Sequence, residues 1–151
     1  MKKYARIALF FALPVIVITC KEEDQKDCAK AICSEQFNSI TVAVKDSTGQ
    51  PVALDTFRLV NMLDKSAIKL SFTADDFAGM KTTGNYLLID DSVVSQYQNS
   101  QIVVEFSAIL GGKTVAKNSV TVSVDCCHVT PYYGDMTVVV VPPKPPATTT
   151  E

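Results

Sequence analysis

Tryptophan is missing from the chain, and histidine occurs once, as His128. The first absence removes the strongest stacking platform for sugars and leaves Tyr97, Tyr132 and Tyr133 as the candidates for such a role. The second weighs against a Ser/His/Asp triad, because the one imidazole follows directly on Cys126 and Cys127. There is no Gly-x-Ser-x-Gly elbow, no His-Glu-x-x-His and no glycine loop of the kind that cradles phosphate. A basic excess is also missing. Fourteen Lys and Arg face sixteen Asp and Glu, so the sequence lacks the basic stripe that nucleic acid requires. No apolar run reaches the roughly 20 residues that a spanning helix needs. A long helical period is absent as well.

What is present begins at the N-terminus. Lys2, Lys3 and Arg6 precede thirteen uncharged residues, Ile7 to Thr19, in the pattern of a secretory signal peptide. Val17-Ile18-Thr19-Cys20 follows. It resembles the lipobox of bacterial lipoproteins, which implies cleavage before Cys20 and lipidation of its sulfur. Two or more acyl chains would then hold the chain to a membrane, at about 0.8 kcal/mol per buried methylene. The alternative is a plain secreted protein whose Cys20 pairs in a disulfide. Lys21-Glu22-Glu23-Asp24 resembles the surface-export signal of lipoproteins in the Bacteroidota, which implies an outer-membrane, lipid-anchored protein displayed at the cell surface. The competing reading is a solvated tether. Cleavage would leave 132 residues, enough for one domain, with eleven basic against sixteen acidic residues and a formal charge of −5. Such a charge also disfavours adsorption to anionic headgroups.

Four cysteines remain: Cys28, Cys33, Cys126 and Cys127. In an exported protein an even set points to disulfides. Three pairings exist. A Cys126–Cys127 bridge is awkward because adjacent side chains in extended chain point apart. Bridges between the N-terminal and C-terminal pairs close loops of roughly 100 residues and constrain the unfolded chain by up to ~4–5 kcal/mol. Strand phase carried past Val124 sends Cys126 to the core side and Cys127 outward. Cys33 lies nearer the first strand than Cys28, so Cys33–Cys126 with Cys28–Cys127 is slightly preferred. Zinc on the four thiols and His128 fits poorly, since Cys126, Cys127 and His128 are consecutive and cannot easily converge on one ion. No metal and no cofactor is expected, and His128 reads as structural or surface-exposed.

The rest of the chain reads as strands. Ile40, Val42 and Val44 alternate with polar or small residues. Residues 46–51 form a turn that suits Gly49 to a positive φ. Further extended runs cover residues 55–60, 68–72 (Ile68, Leu70 and Phe72 on one face) and 86–89. A helical turn or loop is expected at 92–98. The clearest element is 101–110, followed by a Gly111-Gly112 hairpin turn and a return over 113–124 with a bulge near Lys117-Asn118. If the first strand pairs antiparallel with the last one of the sandwich, 113–124, Cys33 approaches Cys126 and Cys127 without strain. A turn at 130–135 precedes Met136 to Val141, an aggregation hazard if uncovered and therefore expected to pair or be covered as an edge strand. Paired carboxylates at Asp75-Asp76 and Asp90-Asp91 read as loop decoration, with a calcium loop at Asp90-Asp91 as the sharper alternative. The pattern predicts an all-β fold, a single Greek-key or Ig-like antiparallel β-sandwich over 39–141. It follows a signal peptide (1–19) and a polar tether (20–38), with a Pro/Thr-rich disordered tail at 142–151.

Val44-Lys45-Asp46-Ser47-Thr48-Gly49-Gln50-Pro51-Val52 resembles the opening of carboxypeptidase-regulatory-like (transthyretin-like) domains, and Gly84-Asn85-Tyr86 their later Gly-x-Tyr element. The resemblance covers about residues 39 to 125. It implies a Greek-key sandwich and a non-catalytic role, and it supplies no active site. The function expected is that of a binding or accessory module of an envelope complex, with a small exported hydrolase as the alternative. The expected contacts are the membrane, through the lipid anchor, and an envelope protein complex; nucleic acid is not among them.

Overall fold

The alternation at residues 40–44 becomes strand β1 (Ser39–Lys45) in the computed structural model, which describes residues 27–141. The signal peptide, Cys20, Lys21, Glu22, Glu23, Asp24 and the tail expected at 142–151 lie outside the described residues. Six strands follow: β2 (Thr56–Asn61), β3 (Asn85–Asp90), β4 (Ser100–Leu110), β5 (Lys113–Val124), β6 (Val129–Tyr133) and β7 (Thr137–Val139). They form two sheets, in the orders β3-β1-β7 and β2-β4-β5-β6. The fold is an all-β sandwich, as the strand pattern predicts.

Period-two burial assembles the core. Val42, Val44, Tyr86 and Leu88 of one sheet face Val104, Phe106, Val120 and Val122 of the other, and all are fully buried. Burying such a side chain stabilises the fold by about 1.5–3 kcal/mol relative to leaving it in water. Tyr86 brings a polar atom into this core and satisfies it. Its hydroxyl donates to the Val52 carbonyl at 2.9 Å and accepts from the Leu54 N–H at 2.7 Å. Gly84 precedes it at φ +71°, where an added Cβ would lie 2.8 Å from the Pro51 Cβ and from the Val44 carbonyl oxygen. The two segments that resemble the regulatory-like domain are therefore in direct contact.

Several expectations are corrected. A ten-residue helix, α1 (Ala74–Thr83), stands where no helix was expected. Thr73 and Asp76 form a capping box at its start, and Gly84 ends it in the left-handed conformation. Phe77 of α1 joins a cluster with Phe57, Phe72 and Tyr86. The run at 68–72 is no strand; only an isolated bridge pairs Ala67 with Val60. Residues 130–135, expected as a turn, contribute most of β6. The β5 bulge falls at Val115, between the pairs Ala108–Ala116 and Ile109–Thr114, rather than at Lys117-Asn118. The Gly111-Gly112 turn is as expected, both residues having positive φ. β1 does not pair antiparallel with the 113–124 strand, which lies in the other sheet as β5; it pairs antiparallel with β3 and parallel with β7. That pairing covers the valine edge: Val138 and Val140 are buried, while Val139 and Val141 face solvent.

Two local irregularities position the site. In β3 the register shifts opposite Ile40 and Thr41, so Leu88 and Ile89 both turn inward. Asp90 then starts a 3-10 turn, Asp91–Val93, which continues into the short helix α2 (Val94–Tyr97). At the same end of the sandwich, β5 and β6 are joined by a tight turn over residues 125–128.

Candidate functional site

The turn at 125–128 is built around one carboxylate. Asp125 Oδ1 accepts from the Cys127 N–H at 2.7 Å and the His128 N–H at 2.8 Å, and the Asp125 N–H donates to the His128 carbonyl at 3.1 Å. Cys126 and Cys127 are thus the two central residues of a turn, not a continuation of strand β5. Each takes a separate partner from the segment before β1. Cys28 bridges to Cys126, and Cys33 bridges to Cys127.

Joining the two pairs is what the sequence predicts, and so is the inward placement of Cys126, which is buried. The preferred partners, Cys33–Cys126 and Cys28–Cys127, are the wrong way round. The phase argument assumed extended chain on both sides. Instead, Cys28 opens a 3-10 turn, Cys28–Lys30, capped by the Asp27 side chain on the Ala29 N–H. This turn carries Cys28 in to the buried cysteine, beside Asn99, whose side-chain amide lies 3.0 Å from the Cys28 sulfur. The exposed Cys33 meets the half-buried Cys127 outside it.

Between the bridged segment and the sandwich lies a chain of polar contacts. Ser34 Oγ is 2.9 Å from His128 Nε2, and His128 Nδ1 is 2.8 Å from Asp91 Oδ2. Asp91 is further held by the Asn38 N–H on Oδ2 at 2.7 Å and by the Val129 N–H on Oδ1 at 2.8 Å. An ionised carboxylate only accepts, so Nδ1 of His128 carries a proton toward it. In the neutral ring Nε2 is then the acceptor, and the Ser34 hydroxyl donates to it. Burial would raise the Asp91 carboxyl. The hydrogen bonds from Asn38, His128 and Val129 outweigh it and hold the group below its ordinary value of 3.8, with the charge of the protonated His128 ring acting in the same direction. The side chains of His128 and Asp91 are 19% and 9% exposed, while Ser34 is open to solvent. A shallow groove of about 400 Å³ runs between residues 31–34 on one side and 125–128 on the other.

No protein-family model, curated protein or solved structure matches the chain. The site is therefore read from its own geometry.

The remaining residues singled out in the sequence fall into place as follows. Asp76 is spent on the capping box, accepting from the Thr73 N–H at 2.8 Å and the Thr73 hydroxyl at 2.7 Å. Asp90 caps the following turn through the Ser92 N–H and hydroxyl. No group of three or more His, Cys, Asp or Glu side chains that could hold a metal ion occurs among the described residues. Tyr132 and Tyr133 are exposed on β6 and line an open depression with Gly134 and Asp135, while Tyr97 packs partly against the core. The convergence of Ser34, His128 and Asp91 was not foreseen. His128 lies 94 positions from Ser34 and 37 from Asp91. Only the sandwich topology brings them together.

Proposed function

We propose that the chain is an outer-membrane lipoprotein, anchored through Cys20 and displayed at the cell surface by Lys21-Glu22-Glu23-Asp24. Its sandwich serves as a binding or accessory module of an envelope complex. The observation that carries this reading is the double bridge. Cys28 and Cys33, eight and thirteen positions after Cys20, are both covalently joined to the 125–128 turn. A domain fastened at Cys28 stays within about 30 Å of Cys20, the reach of eight residues at 3.3–3.6 Å each, which suits a module that must meet neighbouring envelope proteins. Disulfides of this kind persist on the oxidising side of a membrane. Contact between the Val44–Val52 and Gly84–Tyr86 segments supports a regulatory-like type of sandwich.

The test is made in the cell of origin. Cys20→Ala is expected to accumulate as precursor and to leave the outer-membrane fraction. Glu22→Ala combined with Glu23→Ala is expected to remain membrane-bound but to escape external protease on intact cells. A Cys20→Ala protein that fractionates like the parent would remove the anchor. Unchanged shaving of the double variant would remove surface display.

A further inference from the structure

Ser34, His128 and Asp91 have the connectivity of a hydrolytic triad: hydroxyl to Nε2, Nδ1 to a part-buried carboxylate. We infer that Ser34 is a nucleophile and that the groove beside it accepts an uncharged carboxylic ester with a small apolar acyl group, which the site hydrolyses through an acyl-serine. This goes beyond the accessory role and does not depend on the lipid anchor.

The roles follow from the contacts. Asp91 is fixed by two backbone N–H groups from different parts of the chain, Asn38 and Val129, so its carboxylate cannot swing away from the ring. It holds His128 in the tautomer that leaves Nε2 free of hydrogen and facing the hydroxyl. His128 is itself held at the end of the Asp125-centred turn. Ser34 follows Cys33 directly, so the Cys33–Cys127 bridge fixes the nucleophile against the residue that precedes the base. Nucleophile and base thus belong to two segments that a covalent bond keeps together. This is the positioning that an intramolecular proton transfer needs.

In the first step the Ser34 Oγ–H proton passes to Nε2 as Oγ bonds to the carbonyl carbon, and the carbonyl electron pair moves onto oxygen. When that pair returns, the bond to the leaving oxygen breaks, and the departing alkoxide takes the proton from Nε2. Water then attacks the acyl-serine with Nε2 as base, which releases the acid and restores the Ser34 hydroxyl. Water is the only co-reactant. The groove restricts the substrate. It is shallow and open, so solvent water rather than a dry cradle of fixed donors meets the developing oxyanion, which suits esters with good leaving groups and not amides. Ala31, Ile32 and the two disulfides give it apolar walls, and Asp125 at its rim disfavours an anionic acyl group.

The experiment uses the purified full chain, a fluorophosphonate probe and p-nitrophenyl acetate. A single covalent adduct at Ser34 is expected, found by peptide mapping and abolished by Ser34→Ala. His128→Gln should slow both adduct formation and ester cleavage about 100-fold or more, the scale of a lost general base. Ser34 is exposed, so Ser34→Ala should not disturb folding. Non-reducing mapping of both disulfides shows whether His128→Gln has kept the fold. If that variant loses the bridges, ester cleavage by Ser34→Ala decides alone, because a functional site must drop to the rate of the unfolded chain. Absence of adduct would overturn the proposal. So would adducts spread over other surface serines, or Ser34 labelling that His128→Gln leaves unchanged in a folded protein.

Discussion

Asp91 gathers three hydrogen bonds at this end of the sandwich. Its two oxygens serve Asn38, Val129 and His128 within 2.7–2.8 Å. Asn at this position would present one acceptor oxygen and one amide nitrogen, so at least one of the three donors would face another donor. A hydrogen bond to a charged group contributes about 1.5–3 kcal/mol, and Asp91→Asn is expected to lower stability by about that amount in urea unfolding at pH 7. The pH dependence follows from the direction of the shift. The folded carboxyl titrates below the ordinary 3.8, so its contribution is fully present above that value and is lost as pH falls through the folded pKa. The wild-type protein should lose stability over this acid range, and Asp91→Asn should show a shallower loss there. An acid limb of equal slope in both proteins would mean that the carboxylate does not hold this corner. Nothing local in the sequence marks Asp91 for this role, because its partners lie on other elements.

The strands and the helix differ in how well they could be read. β1, β4 and the second half of β5 carry strict alternation, and every residue expected inward from Ile40 to Val44, from Ile102 to Ala108 and from Val120 to Val124 is buried. α1 has no buried residue, and only Phe77 and Met80 pack against the core, so no helical stripe exists to be seen. Its signals are terminal instead: Thr73 with Asp76 three positions on, and Gly84 past the end. An Asp in place of the usual Glu or Gln of a capping box made the start easy to pass over. A helix held by its ends should respond to changes there. Thr73→Ala is expected to cost about 1 kcal/mol, with the loss appearing as faster amide exchange in α1. Gly84→Ala should cost more, since it adds a strained φ to a clash with Pro51 and the Val44 carbonyl. If Gly84→Ala proves as stable as the parent, the close approach of α1 to the 51–54 segment is wrong. The site was legible only in part. The cysteine pairs were read as joined, but the turn at 125–128 interrupted the strand phase from which their partners were chosen.

On the scale of the whole molecule the two bridges span 98 and 94 positions, yet they are neighbours at both ends. Either one alone closes nearly the same large loop, worth roughly 4–5 kcal/mol of chain entropy, and the second then closes only a ring of a few residues. Their removals should therefore be far from additive. Replacing Cys33 and Cys127 by Ala is expected to cost under about 2 kcal/mol. Replacing Cys28 and Cys126 should cost somewhat more, because Cys126 is buried and leaves a cavity. Removing all four should exceed the sum of the two losses. Urea midpoints of the three variants test this, and additive losses would show that each bridge acts on its own loop. The same adjacency decides where tension would travel. A pull between residues 27 and 141 enters at Cys28 and crosses covalently to Cys126, bypassing β1 to β5. Only the chain beyond Cys126, holding β6 and β7, lies in series with the load and could peel. That segment pays out roughly 50 Å at full extension, at 3.3–3.6 Å per residue, after which the force rests on sulfur–sulfur bonds while the greater part of the core stays folded.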